Sequence, residues 1–121
     1  THLDGARLLN AVVETNISAF QYAQLFDSVW IDFSKSLGAP MGAVLAGSKE
    51  FIEQAWYYKF QQGGGMHKAG ILAAGCLYAL DHNVKKLKET HSKAKKLATP
   101  LSGLSFIILN PDHIETNILC F

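Results

Sequence analysis

A single lysine, Lys35, lies where side-chain chemistry is readily assembled. It follows residues 28–33, whose β-branched and aromatic side chains predict a strand, and it precedes a turn over residues 36–40. Ligand groups converge on the loops that follow strands in α/β sheets, and a lysine amine enclosed there can lose its proton and form a Schiff base. From the spacing alone, a solvent-exposed lysine at a strand end is the commoner case. Lys35 is therefore a candidate catalytic residue.

A second group of reactive side chains lies in the stretch HLDGAR near the start of the chain. Asp4 falls at a predicted junction of strand and helix, and Arg7 follows three residues later, so both could reach one pocket. A carboxylate in such a place can pair with the protonated pyridine nitrogen of pyridoxal phosphate (PLP) and keep the ring a strong electron sink. Capping of the following helix is the simpler role for Asp4. An acid and a lysine at the ends of two strands together favour a PLP site.

Four stretches of the chain resemble consecutive blocks of the L-threonine aldolase family, in the same order and with similar separation. They are HLDGARLLNA, DSVWIDFSKSLGAPMGAVLAGSKEFI, GGGMHKAGILAAGCLYAL and ETNILCF. The resemblance implies an α/β fold, with residues 1–80 in the three-layer α/β/α large domain of a fold-type I PLP enzyme. Residues 81–121 would then begin a smaller C-terminal α+β domain. Because the resemblance covers a minority of a full family member, we expect an internal segment, with the phosphate cradle and the ring-stacking side chain before Thr1.

The resemblance also implies roles for individual residues. Lys35 matches the catalytic lysine that carries the cofactor, and Asp4 matches the partner of the pyridine nitrogen. Arg7 matches an arginine of the cofactor pocket that grips the substrate carboxylate, a role that its bidentate guanidinium suits. The implied reaction is PLP-dependent retro-aldol cleavage of L-threonine or allo-threonine to glycine and acetaldehyde. The implied assembly is a homo-oligomer, either a dimer or a tetramer.

Two departures from the family pattern leave alternatives open. The family block usually reads Gly-Gly-Gly-Met-Arg, whereas this chain has His67 in the arginine position, and histidine carries less positive charge at pH 7. Ser36 stands where the family often has glycine. One alternative is another fold-type I PLP lyase or an aminotransferase, which would share Lys35 and Asp4. The other is a non-catalytic truncated fragment that acts only in assembly.

The elements that must position these residues follow from hydrophobic patterning. The patterns predict helices over residues 6–14, 18–25, 48–62, 66–80 and 83–98. Ser18 and Gln21 have the spacing of a capping box, Ser48 is expected to cap the helix over 48–62, and the three glycines at 63–65 are expected to end it. The apolar face of the helix over 83–98 is expected to consist of Val84, Leu87, His91, Ala94 and Leu97. The helix over 66–80 is apolar on nearly all sides and is expected to be buried, and Pro100 is expected to end the last helix. The predicted strands cover residues 28–33, 41–46, 104–109 and 115–121, with a turn at Asn110-Pro111-Asp112 between the last two.

Composition limits the classes of partner. Hydrophobic residues make up 49% of the chain and the net charge is +1, which predicts a soluble globular protein without a nucleic-acid or membrane partner. The longest apolar stretch, residues 69–80, is shorter than the roughly 20 residues of a membrane helix. Cys76 and Cys120 lack the spacing of a zinc site, and we expect buried thiols in the reducing cytoplasm. His82 and His91 have no acidic neighbours in ligand spacing, so no metal site is predicted.

Overall fold

Three short strands form one mixed sheet in the computed structural model, which describes residues 1–121. The strands lie in chain order and are β1 (His2–Gly5), β2 (Ser28–Asp32) and β3 (Ala43–Gly47). β1 runs parallel to β2, with Asp4 opposite Trp30, and β3 runs antiparallel to β2. Neighbouring parallel strands end at the same edge of a sheet, so Asp4 and the loop that carries Lys35 lie at one edge.

Five α-helices connect and follow the strands, and their interleaving confirms the predicted α/β class. They are α1 (Leu8–Thr15), α2 (Ala19–Ala23), α3 (Lys49–Gln61), α4 (Gly70–Asn83) and α5 (Leu87–Leu101), with 3₁₀ turns at Val84–Lys86 and Pro111–His113. Ser18 and Gln21 form the predicted capping box before α2, and the Ser48 side chain caps α3. The local start signals of these helices were therefore correct.

The buried core is small and is centred on the loop that follows β2. Phe33 and Leu37, on either side of Lys35, are 4% and 3% exposed and pack with Leu87 of α5. The Asn83 side-chain amide donates to the Leu37 carbonyl oxygen at 2.8 Å. The packing of both neighbours holds the backbone around Lys35, while Lys35 itself is exposed.

The two strands predicted near the end of the chain are absent. Residues 104–109 and 115–121 have no strand structure, although the predicted turn between them forms a short 3₁₀ helix. Asn110 accepts the Asp112 backbone N–H at 3.0 Å in that turn. A strand needs a neighbour for its backbone hydrogen bonds, and Phe106 and Ile108 are 80% and 94% exposed without one. Both segments have the apolar pattern of a strand, but no other strand of this chain lies beside them to accept their hydrogen bonds.

α5 continues beyond its predicted end. Pro100 lies inside its last turn, so the prediction that Pro100 ends the helix was wrong. Proline lacks only its own N–H donor, and the Ser102 N–H still donates to the Ala98 carbonyl at 2.9 Å. Leu97, predicted on the buried face, is 55% exposed. The buried stripe of α5 consists of Leu87, His91, Ala94 and Ala98.

α4 was predicted to be buried and is instead exposed along most of its length. Only Ala79 is buried, while Ile71, Leu77 and Tyr78 are 73%, 62% and 60% exposed. An apolar helix is expected to be buried, but no other element of this chain covers these side chains. The expected domain boundary near residue 80 falls inside α4, and the division into two domains stays a prediction.

Both cysteines are free, and the predicted burial of Cys120 was wrong because that residue is exposed. Cys76 is partly buried, and its thiol lies 3.4 Å from the Met41 carbonyl oxygen. None of the five helices combines the length and the apolar character that a membrane crossing requires.

Candidate active site

One face of the sheet carries the side chains that could form an active site. Residues directly opposite each other on neighbouring strands share a face, as do alternate residues along one strand. Asp4 lies opposite Trp30, and Asp32 is two residues beyond Trp30, so these three side chains project from one face. The Lys35 amine lies 5.1 Å from the centre of the Trp30 ring and 3.4 Å from Asp32 Oδ2. The fold therefore brings Asp4 and Lys35 to one edge and one face of the sheet.

Lys35 is held on two sides and open on the others. Its amine forms an ion pair with Asp32 and a cation–π contact with Trp30. The Lys35 side chain is 40% exposed, whereas that of Asp32 is 11% exposed. A small electrophile in solution can therefore approach the amine.

Asp32 is a site residue that sequence reasoning missed. Its Oδ1 atom accepts hydrogen bonds from the Ser34 backbone N–H at 2.5 Å, the Ser34 hydroxyl at 2.6 Å and the Lys35 backbone N–H at 3.3 Å. The hydrogen bond from the Ser34 side chain, with smaller contributions from backbone N–H groups and Lys35, lowers the pKa of the Asp32 carboxyl. The carboxylate is therefore ionised at neutral pH. The available signal was an acid three residues before the lysine, at the end of the same strand.

Asp4 does not have the helix-capping role that was its simpler interpretation. α1 begins after Arg7 and has no side-chain cap. Asp4 Oδ1 instead accepts the Ala6 backbone N–H at 3.0 Å, and its carboxylate forms no ion pair. The second carboxylate oxygen, Oδ2, has no partner within the chain. Asp4 thus combines a local turn bond with a free anionic oxygen.

Arg7 lies near the site but is not joined to its other members. No hydrogen bond or ion pair links Arg7 to Asp4 or Lys35. Arg7 lines a narrow crevice together with Asp32 and Ser36. The Ser36 hydroxyl is buried and has no hydrogen-bond partner. An unpaired guanidinium and an unsatisfied hydroxyl therefore lie beside the Lys35 loop.

The glycine-rich segment lies after α3. Gly63 adopts a φ of +76°, which favours glycine, and the segment ends α3 at Gln61, one residue before the predicted end at 62. His67 lies two residues after it and is exposed. The described chain places no group of three or more His, Cys, Asp and Glu side chains where they could hold a metal ion. These residues add no contact to the Lys35 site.

The chain is similar to known proteins along nearly its whole length. It is 51% identical to the low-specificity L-threonine aldolase of Candida albicans, over 98% of this chain and 35% of that protein. It is 40% identical to the low specificity L-threonine aldolase of Escherichia coli (strain K12), over 98% of this chain and 34% of that protein. The chain thus spans about a third of the length of these curated relatives.

Solved structures show the same similarity. The chain matches the crystal structure of a Listeria monocytogenes protein described as a "putative L-allo-threonine aldolase" with a TM-score of 0.85 and 32% identity, over 96% of this chain and 32% of that chain. The model of one protein family, beta-eliminating lyase, matches residues 1–121. These matches confirm the predicted resemblance to L-threonine aldolases, and they show that the chain belongs to the beta-eliminating lyase family.

Proposed function

We propose that this protein is a PLP-dependent aldehyde-lyase that cleaves L-threonine or allo-threonine to glycine and acetaldehyde. The observation that carries the proposal is the placement of the Lys35 amine and the Asp4 carboxylate on one face and one edge of the sheet. The relatives named as low-specificity L-threonine aldolases support the choice of substrate. The reaction breaks the Cα–Cβ bond of the β-hydroxy amino acid.

The residues of this chain fit the cofactor that the proposal requires. Lys35 presents an accessible amine that would hold the PLP aldehyde, and Asp4 presents a free carboxylate oxygen that would accept the pyridine N–H. The buried Ser36 hydroxyl still lacks a partner and could bond to a ligand. Bound PLP supplies an electron sink for the electron pair that the broken Cα–Cβ bond leaves on Cα.

The other side chains near Lys35 would bind and orient the substrate. The guanidinium of Arg7 forms no ion pair within the chain and would bind the substrate carboxylate through two parallel hydrogen bonds. The Trp30 ring provides an apolar wall beside the amine and limits the access of water from that side. Ionised Asp32 faces Lys35 and places negative charge next to the amine.

The same proposal covers assembly and location. We place this protein in the cytoplasm as a homo-oligomer, either a dimer or a tetramer, with residues 1–80 in the large domain and 81–121 in the small domain. The exposed apolar side chains of α4, including Ile71 and Leu77, support assembly because large exposed apolar patches usually mark contact surfaces. The two free cysteines agree with a reducing compartment.

Cofactor attachment tests the proposal. The protein is incubated with PLP and treated with borohydride, which fixes PLP on the lysine that has bonded to it, and a peptide map then locates the label. We expect the label on Lys35 and its loss from that position in Lys35→Arg, which keeps the positive charge. Asp4→Asn keeps the turn bond to Ala6 and removes the charge, so Lys35 should then need more PLP for half-maximal labelling.

Two outcomes would contradict the proposal. A label shared equally among Lys35 and surface lysines such as Lys49 and Lys93 would exclude a specific site, and would favour a non-catalytic role in assembly. A specific label on Lys35 without release of acetaldehyde from L-threonine, but with another amino-acid reaction, would favour a different fold-type I lyase or an aminotransferase.

A further inference from the structure

We propose that Asp32 is a positioning residue for Lys35, and that together with the Trp30 ring it holds the lysine amine at the sheet edge until an aldehyde displaces it from the carboxylate. Three contacts carry this inference: the ion pair at 3.4 Å, the cation–π contact at 5.1 Å and the hydrogen bonds that orient the Asp32 carboxylate. The identity of the aldehyde as PLP rests on the proposed function.

The two carboxylate oxygens of Asp32 make different contacts. Oδ1 accepts three hydrogen bonds from Ser34 and Lys35, all from the turn that carries the lysine. Those bonds fix the carboxylate plane and leave Oδ2 facing the Lys35 amine. The Asp32 side chain is 11% exposed, so this orientation is enclosed by protein rather than free in solvent. The carboxylate is therefore an oriented partner for the amine.

Trp30 closes a second side of the amine. Its ring lies on the same sheet face as Asp32, two residues earlier on β2, so the strand itself sets the spacing of the two groups. An amine held between a carboxylate and an aromatic face must leave the carboxylate before its nitrogen can attack a carbonyl carbon. Asp32 therefore both directs Lys35 toward the edge that holds Asp4 and slows its reaction.

Competitive acetylation of lysines measures this effect without PLP. The protein is treated with a limiting amount of acetic anhydride at pH 8, and the rate at each lysine is read by mass spectrometry. Asp32→Asn keeps the hydrogen-bond acceptor at Oδ1 but removes the charge, and we expect Lys35 to react about two- to fivefold faster, the range that corresponds to a partly exposed ion pair. Lys49, paired with Glu53 at 3.9 Å on the exposed face of α3, should be unchanged.

Ser34→Ala is the matched control for a disturbed turn. It removes one of the three hydrogen bonds that orient Asp32 but keeps the two backbone bonds and the charge, so the rate at Lys35 should rise by less than in Asp32→Asn. Salt provides a readout that a purely structural role would not change, because the Lys35 side of the pair is 40% exposed and the Debye length at 1 M salt is about 3 Å, so the attraction is partly screened. The wild-type rate at Lys35 should then rise toward that of Asp32→Asn, while the rate of the variant stays constant.

The results separate this inference from the proposed function. Equal rates at Lys35 in the wild type and Asp32→Asn, or an equal increase in Ser34→Ala, would overturn the positioning role of the Asp32 charge. If PLP and borohydride label other lysines while Asp32→Asn still accelerates acetylation of Lys35, the proposed function fails and the positioning role stands. Circular dichroism of each variant establishes that it is folded before its rates are compared.

Discussion

Replacing Gly5 with alanine should move β1 away from β2 and disturb the edge where Asp4 and Lys35 meet. Gly5 is the last residue of β1 and directly follows Asp4. A Cβ atom at this position would lie 2.3 Å from the Trp30 carbonyl oxygen, whereas ordinary van der Waals contact begins at 3.4 Å. The added methyl group would thus overlap by about 1 Å with the backbone of the neighbouring strand.

The overlap is costly because the atom in the way cannot rotate aside. The Trp30 carbonyl belongs to the central strand, which pairs with β1 on one side and β3 on the other. Inserting a methyl group into a packed site costs about 1–3 kcal/mol, and a backbone obstacle places Gly5→Ala in the upper part of that range. With a urea dependence of about 2 kcal/mol per molar, the unfolding midpoint should fall by about 1–1.5 M.

Urea unfolding followed by circular dichroism measures the cost, and labelling of Lys35 by PLP and borohydride measures the effect on the site. Gly70→Ala is the matched control, since no atom lies within 4 Å of its added Cβ and Gly70 begins α4. It should leave the free energy of unfolding unchanged or raise it by up to about 1 kcal/mol through helix propensity, which is a rise of up to about 0.5 M in the midpoint. The reasoning is refuted if Gly5→Ala unfolds at the wild-type urea concentration and labels Lys35 at the wild-type rate.

Three further predictions concern the core and the site. Leu87→Ala removes a side chain that is 1% exposed and should lower the free energy of unfolding by about 2–5 kcal/mol, measured by urea titration. Asn10→Ala removes the donor 2.9 Å from buried His91 Nε2, so thermal unfolding should show a loss of about 1–3 kcal/mol. Ser34→Ala should raise the lowered pKa of Asp32 toward 3.8. A carboxyl group whose pKa is lower in the folded than in the unfolded protein stabilises the fold above its unfolded pKa, and this stabilisation is lost as the pH falls through the folded pKa. The variant should therefore unfold at a lower urea concentration than the wild type at pH 7, and the difference between their midpoints should disappear below pH 3.8.

Local signals predicted much of the fold. The capping box at Ser18 and the cap at Ser48 marked the starts of α2 and α3, and the glycine-rich segment marked the end of α3. These predictions held because a helix start or stop depends on a few neighbouring backbone groups that the sequence specifies directly. The predicted strands over 28–33 and 41–46 were also correct, with boundaries that differ by one or two residues.

Predictions that depended on contacts between elements far apart in the chain were less accurate. Residues 104–109 and 115–121 have strand-like side chains, but a strand forms only where another strand accepts its hydrogen bonds. The burial predicted for α4 and for Cys120 failed for a related reason, since the apolar character of a side chain does not specify which element covers it. Leu97 was predicted on the buried face of α5, but it is exposed and Ala98 is buried instead.

The sequence by itself determined which residues carry reactive groups and which local element each one follows. Residue type and position were enough to name Asp4, Arg7 and Lys35 as candidates, whereas their roles were implied by the family resemblance. Only the tertiary structure decided that the parallel pairing of β1 and β2 brings Asp4 and Lys35 to the same edge and face. The contact between Asp32 and Lys35, by contrast, is a local one between residues three apart, and sequence reasoning missed it. The physical reason is that strand register is set by pairing between elements distant in the chain, whereas caps and turns are set by adjacent residues.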